Sequence, residues 1–149
     1  MVFIPRSKFN VNTSKIAKDK RTVNGHAFSS DLEYKYYIYL LAQQEQGIVS
    51  DIILQPKFIL QEAYEKYGKK IRKIEYISDF EVHYSNGDII IYDTKGMTTP
   101  EFILKQKIFD YKYPDQILKV ISYSKIDGGW INIDIIVKAR KERKKVKSK

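Results

Sequence analysis

The sequence contains no cysteine. That excludes disulfides and thiolate metal sites and agrees with a reducing cytoplasm, the location expected here. No apolar run approaches the ~20 residues of a membrane helix. The N-terminus lacks the apolar core of a signal peptide, so no membrane association is expected. There is no Ser-His-Asp spacing for nucleophilic catalysis and no glycine-rich nucleotide loop, since Asn24-Gly25-His26 is too short to cradle phosphates. The two histidines, His26 and His83, are not a close pair, and without cysteine they do not suggest zinc. His83 reads as a surface hairpin residue.

What is present suits one globular domain. At 149 residues the chain can bury a sizeable core, and 43% hydrophobic with 13% aromatic residues excludes disorder throughout. The net charge of +9 is unevenly spread: residues 1–21 carry +5, residues 138–149 carry +7, and the middle is left with −3. Basic ends around a slightly acidic body suit a protein that grips a polyanion with its ends while its centre holds cations. Solubilising tails are the bland alternative. The domain reading is a basic arm at 1–27, a folded body at 28–137 and a basic flexible tail at 138–149.

Ser29-Ser30-Asp31-Leu32-Glu33 opens a helix that runs to about Gln46 and closes at Gly47. Ser30-x-x-Glu33 has the form of a capping box, and a carboxylate in that first turn can also reach a cation beside a sheet. Val49 to Leu60 reads as one strand, with Pro56 arguing for an edge or a bulge. Gln55 is its polar exception, either an exposed edge residue or an amide supporting a site. Gln61 to Lys73 is polar and basic around Gly68, and reads as a loop or short helical excursion. Thr99 and Pro100 mark the cap and first turn of a second helix that stops before Pro114. Gln116 to Tyr123 reads as a buried strand, Asp127-Gly128-Gly129 as a turn and Trp130 to Val137 as a last strand.

The stretch from Ile74 to Gly96 organises the rest. Two β-branched and aromatic runs flank Ser85-Asn86-Gly87-Asp88, a strong hairpin signal. Side chains alternate along a strand, so Asp93 and Lys95 share a face, as do Asp79, Glu81 and His83 on the partner strand. A two-residue Asn86-Gly87 turn pairs Ser85 with Asp88 and sets Asp79 opposite Thr94, splitting the carboxylates. A three-residue loop or a bulge sets Asp79 opposite Asp93 or Lys95 and brings them together. The second arrangement is expected, because two carboxylates and an ammonium can then surround one bound cation.

Ser78-Asp79, a hairpin, then Asp93-Thr94-Lys95 resembles the PD-(D/E)xK nuclease core, with Ser78 where that superfamily often has proline. The fuller pattern resembles a small phage-encoded family of that superfamily, known as a domain of unknown function. The matching residues are Phe28-Ser29-Ser30 with Glu33, Gln55, Tyr76 to Phe80, Asp93 to Gly96, and Thr99-Pro100 followed by Leu104 to Lys107, over roughly residues 24–114.

The resemblance implies a restriction-endonuclease-like mixed α/β sheet flanked by helices, in the order α-β-β-β-α-β-β. It implies a divalent-metal-dependent DNA endonuclease in phage DNA metabolism, and the relation to junction resolvases favours branched DNA. Mg²⁺, with Mn²⁺ as substitute, would be held by Asp79, Asp93, the carbonyl of Thr94 and Glu33, with Gln55 behind them. Lys95 would orient the attacking water. Lys105, Lys107 and Lys112 on the second helix, and Arg140, Lys141, Arg143 and Lys144 in the tail, are the expected DNA contacts. A homodimer is left open. The competing readings are a non-catalytic nucleic-acid-binding protein and a cofactor-free structural protein.

Overall fold

The structure, a computed structural model, describes residues 20–147. Strands β1 (Thr22–Val23) and β2 (His26–Ala27) pair across Asn24-Gly25. Both turn residues have positive φ, 51° and 78°, the signature of a tight Asn-Gly hairpin. Residues 20–27 are thus not simply the end of an arm. Buried Arg21 bonds back to the carbonyl of Phe28 (3.0 Å) and lies 3.6 Å from Asp31, tying this turn to the first helix. The rest of the expected arm, residues 1–19, lies outside the described residues.

Helix α1 (Asp31–Glu45) starts where its capping sequence indicates, with Ser30 Oγ accepting the Glu33 N–H at 3.1 Å. It ends at Gly47, whose φ of 79° lets Ile48 N–H reach the Gln43 carbonyl (2.9 Å) and Gly47 N–H reach that of Gln44 (3.0 Å). Strand β3 (Val49–Leu54) follows, and the expected continuous strand to Leu60 is broken. Gln55 turns to φ 51° and Pro56 has no N–H to donate, so the chain leaves the sheet. Strand β4 (Lys57–Gln61) then pairs with β7 (Ile74–Ile77) in a separate two-stranded ladder.

Between them, the expected loop at Gln61 to Lys73 is a hairpin, β5 (Tyr64–Lys66) and β6 (Lys69–Ile71). Its sequence hides the pattern because neither face is buried, so no apolar alternation is needed. Strands β8 (Phe80–Tyr84) and β9 (Ile89–Thr94), helix α2 (Pro100–Lys112), and strands β10 (Leu118–Ser124) and β11 (Gly129–Asn132) complete the main sheet. Its order is β11-β10-β9-β8-β3, with β9 and β10 parallel across the α2 crossover and the other neighbours antiparallel.

The chain therefore forms a mixed α/β fold with a five-stranded sheet and three described helices. It has two strands before α1, four between β3 and β8, and a helix after β11 that the expected order lacks. The last helix, α3 (Ile133–Lys147), replaces the strand expected to reach Val137 and most of the flexible tail. Asn132 Oδ1 caps it by accepting the Asp134 N–H at 2.8 Å. Ile133 and Ile136, three apart, are buried, while Ile135 and Val137 are exposed, so tertiary contact selects the helical spacing over the strand-like alternation.

Two cores lie on the two faces of the sheet. On one, Phe28, Tyr36, Tyr37 and Leu40 pack on Phe80, Val82, Tyr92 and Ile121. On the other, Phe102, Phe109 and Ile133 pack on Ile91 and Val120, joined by Leu60 and Tyr76 from the β4–β7 ladder. Among the described residues no helix is long and apolar enough to cross a membrane.

Candidate active site

The β8–β9 loop decides the site. Tyr84 N–H donates to the Asp88 carbonyl at 2.8 Å, so Ser85, Asn86 and Gly87 form a three-residue loop. Gly87 takes φ 98° and its N–H bonds the Tyr84 carbonyl at 3.0 Å, a turn ending in a left-handed residue that favours glycine. The resulting register pairs His83 with Ile89 and Phe80 with Tyr92. The ladder ends there, and the next pair in the same register is Asp79 with Asp93. The loop is the three-residue one that the shared-face arrangement expects, not a two-residue turn.

The chain bends at Ser78-Asp79 between β7 and β8, and several polar atoms there are held. Ser78 Oγ donates to the Tyr92 carbonyl at 2.6 Å, and Ser78 N–H to that of Pro56 at 3.1 Å. Asp79 Oδ2 accepts both the N–H and the hydroxyl of Thr94, each at 2.8 Å. Across from it, Asp93 Oδ2 accepts the Tyr76 hydroxyl at 2.5 Å, and Asp93 Oδ1 lies 3.3 Å from Lys95 Nζ. Lys95 is in turn seated 4.6 Å from the ring centroid of Phe102, in the first turn of α2. Asp79, Asp93 and Thr94 are buried, with Asp93 only 1% exposed, while Lys95 keeps 23% of its side chain accessible. The ammonium therefore sits between a buried carboxylate and the Phe102 ring, on a side chain that solvent still reaches.

Tyr76 is the participant to which the sequence assigned no role. Burial, then the negative charge of Asp93 and its hydrogen bond, hold the phenol well above its ordinary value, with Asp79 adding to the effect. It remains a proton donor to Asp93. Because the chain turns between Tyr76 and Asp79, strand periodicity could not relate the two. Tyr76 itself packs on Phe102 and Phe109, so α2 supports the site through aromatic contacts.

Glu33 lies in the first turn of α1. It is 1% exposed, and its Oε2 accepts the N–H (3.2 Å) and hydroxyl (2.6 Å) of Ser29. The capping function is present, with the carboxylate reaching one residue past the cap rather than back to Ser30. Among the described residues no group of three or more His, Cys, Asp or Glu side chains is arranged to hold a metal. Gln55 contributes through its backbone: its N–H bonds the Asp79 carbonyl at 3.0 Å, while its side chain is exposed. His83 is half-buried and meets Glu81 at 2.9 Å, away from the aspartates.

The basic candidates divide similarly. On α2, Lys107 and Lys112 are exposed, and Lys105 lies 3.6 Å from Glu101. On α3, Arg140, Lys141 and Lys144 are exposed, but Arg143 forms a fork with Asp127 at 2.7 and 3.2 Å. That pair, through its hydrogen bonds, lowers the Asp127 carboxyl and raises the Arg143 guanidinium from their ordinary values. Arg143 is thus already engaged within the fold.

A crevice of about 430 Å³ opens beside the α1 side of the sheet, walled by Tyr36, Tyr39, Tyr84, Tyr92 and Trp130. It holds no carboxylate. Burial, then the neighbouring Tyr92 and Tyr84 phenols, raise the Tyr36 hydroxyl above its ordinary value.

The model of a family described as a protein of unknown function (DUF1064) matches residues 13–128. The chain belongs to the DUF1064 family. No curated protein and no solved structure matches it. The DUF1064 span includes Glu33, Asp79, Asp93, Lys95 and the α2 lysines, and ends before α3. The α3 cations are therefore outside the part of this chain that the family model matches.

Proposed function

We propose that this protein is a divalent-metal-dependent DNA endonuclease with a restriction-endonuclease-like core related to PD-(D/E)xK nucleases. The observation that supports the reading is the β8–β9 register, whose next pair beyond Phe80–Tyr92 is Asp79 with Asp93, together with the Lys95 ammonium 3.3 Å from Asp93. Taking only the strands of the main sheet, the chain runs α1-β3-β8-β9-α2-β10-β11, which supports the nuclease-like arrangement once the β4–β7 excursion and α3 are set aside.

The donor chemistry fits Mg²⁺ or Mn²⁺. Two aspartates and a neighbouring backbone carbonyl are hard oxygen donors, and Mg²⁺ is commonly held by one or two carboxylates, with water and substrate phosphate completing its shell. Asp79 and Asp93 would hold the ion, with the Thr94 carbonyl beside them. When bound, such an ion supplies positive charge at the phosphate and an activated water. The chain supplies the remainder. The Thr94 N–H and hydroxyl orient Asp79, the Tyr76 hydroxyl orients Asp93, and Lys95 presents a positive charge to a developing phosphorane. Glu33 Oε2 is held by Ser29, and Glu33 stays a candidate ligand in this reading. Phage DNA metabolism and branched DNA remain the favoured setting and substrate.

The non-catalytic alternative draws on one specific observation: Thr94, Tyr76 and Lys95 already engage both aspartates, as in a structural polar network. Labelled linear, flapped and four-way DNA, incubated with Mg²⁺, Mn²⁺ or EDTA, separates the two. Asp93→Asn, which keeps the side-chain shape, should lower cleavage about 10²-fold or more, the scale of losing a group that acts in the transition state. Circular dichroism should show it still folded. Cleavage surviving both EDTA and Asp93→Asn sinks the nuclease reading.

A further inference from the structure

The β5–β6 ribbon stands apart from both cores. Residues 62–74 are exposed at every position, and the ribbon forms its own two-stranded sheet, paired with no other strand. An isolated two-stranded hairpin has little intrinsic stability. Lys66 pairs with Lys69, so Tyr67 and Gly68 form a two-residue turn with φ 51° and 73°. Two positive φ values define the type I′ turn, which prefers Asn-Gly. A bulky residue in the first of those positions is unfavourable. Tyr67 occupies it nonetheless and is 90% exposed. The ring contributes nothing to a core and sits where asparagine would be better accommodated.

The ribbon's charge points to an occupant. Lys66, Lys69, Lys70, Arg72 and Lys73 against Glu62 and Glu65 give residues 62–73 a net +3. The remainder of the middle region then carries −6, since the whole of it carries −3. The Lys66 ammonium lies 5.2 Å from the Tyr67 ring centroid, so ring and cation are presented together. A strained, solvent-facing aromatic at the tip of a basic ribbon has the two elements of single-strand recognition, a stacking surface and phosphate-neutralising charge.

We propose that the β5–β6 ribbon binds DNA at an unpaired nucleotide, with Tyr67 stacking on the base and Lys66, Lys69 and Lys70 neutralising flanking phosphates. This rests on the reading of the protein as DNA-binding and adds to it a device for choosing branched or single-stranded substrate. Stacking requires an exposed base face, which a blunt duplex offers only at its ends.

Tyr67→Asn tests the proposal, because Asn-Gly suits the turn and removes only the ring. Fluorescence anisotropy with the full chain in EDTA would give affinity for a labelled single strand, a flapped duplex and a closed hairpin duplex over several salt concentrations. Tyr67→Asn should weaken single-strand and flap binding roughly tenfold or more. It should change closed-duplex binding less than twofold and leave the melting temperature equal or higher. Lys66→Gln with Lys69→Gln should flatten the salt dependence on the single strand by about 0.7 in log–log slope for each phosphate that is no longer neutralised. Equal binding by Tyr67→Asn and wild type on flapped DNA overturns the proposal. So does equal weakening on every substrate, or a lowered melting temperature, which would make the ring structural. Capture by phosphatidylserine vesicles that Tyr67→Asn abolishes, with DNA binding unchanged, overturns it in favour of a lipid surface. Wild-type protein that binds no DNA removes the nuclease reading itself, whereas wild type that binds and cleaves alongside an indistinguishable Tyr67→Asn removes the ribbon alone.

Discussion

Two hairpins of this molecule invite comparison. The β8–β9 hairpin is packed on both faces and closes through a three-residue loop, whereas β5–β6 is exposed on both faces and closes through two residues. In the first, Phe80, Val82 and Tyr92 lie in one core and Ile91 in the other, so a slip of one residue would move apolar side chains out of both. Its register is over-determined, and continued one pair past Phe80–Tyr92 it brings Asp79 against Asp93. In the second, no core depends on register, so its composition is left to charge and to an exposed ring.

The largest expected effect breaks the packed hairpin. Phe80 is fully buried and its ring meets those of Phe28, Tyr36 and Tyr37. Phe80→Ala should cost about 3–5 kcal/mol, while Tyr64→Ala on the exposed ribbon should stay within about 0.5 kcal/mol. Parallel urea unfolding of the two variants would measure the difference, and similar losses would mean that the ribbon is packed in solution.

Next comes the support of the site. Tyr76→Phe removes the hydroxyl that donates to Asp93 Oδ2 and should destabilise by about 1.5–3 kcal/mol, the range for hydrogen bonds to charged groups. Under the nuclease reading it should also lower cleavage, because Asp93 loses its orienting donor. Stability matching wild type would show that the bond adds nothing net.

A subtler change asks what sets the register. Deleting Ser85 leaves Asn86-Gly87 as a two-residue turn between the same Tyr84 and Asp88. The packed side chains should keep the pairing, and with it Asp79 opposite Asp93. The loss should be that of the Ser85 N–H bond to Ile48 and hydroxyl bond to Gly47, together about 1–2 kcal/mol. Chemical-shift or cross-strand NOE mapping by NMR would reveal a shift to Asp79 opposite Thr94, the result that would make the loop, not the core, decisive.

The smallest effect is at the α3 end. Asp127 has a lowered folded value, so its contribution is present above the ordinary carboxylate value of about 3.9 and is lost as pH falls through the lowered one. Below about pH 4 wild type should lose a little stability that Asp127→Asn never had. Melting curves for both proteins from pH 3 to 7 would show convergence at the acid end, and parallel curves throughout would rule out a contribution from the Arg143 fork.

The boundaries of α1 and α2 were legible because their signals are local: Ser30 and Gly47 for one, Thr99 and Pro100 for the other. The β8–β9 hairpin and the Asp93–Lys95 face were legible from turn chemistry and alternation. The break at Gln55-Pro56 was visible only as an irregularity, because a proline marks a lost donor without saying where the chain goes next. Residues 133–137 were read as a strand because Ile131, Ile133, Ile135 and Val137 alternate. Helix prevailed because Asn132 caps it and burial chose Ile133 and Ile136.

The sequence alone thus determined the residue types available for chemistry, the helix ends and the existence of the central hairpin, all set by interactions within a few residues. Only the tertiary structure decided that Thr94 holds Asp79, that Tyr76 donates to Asp93, and that a basic ribbon projects with Tyr67 at its tip. Each of those depends on packing or hydrogen bonding between segments distant in the chain, or on a segment having no such packing, and neither condition is encoded in local spacing.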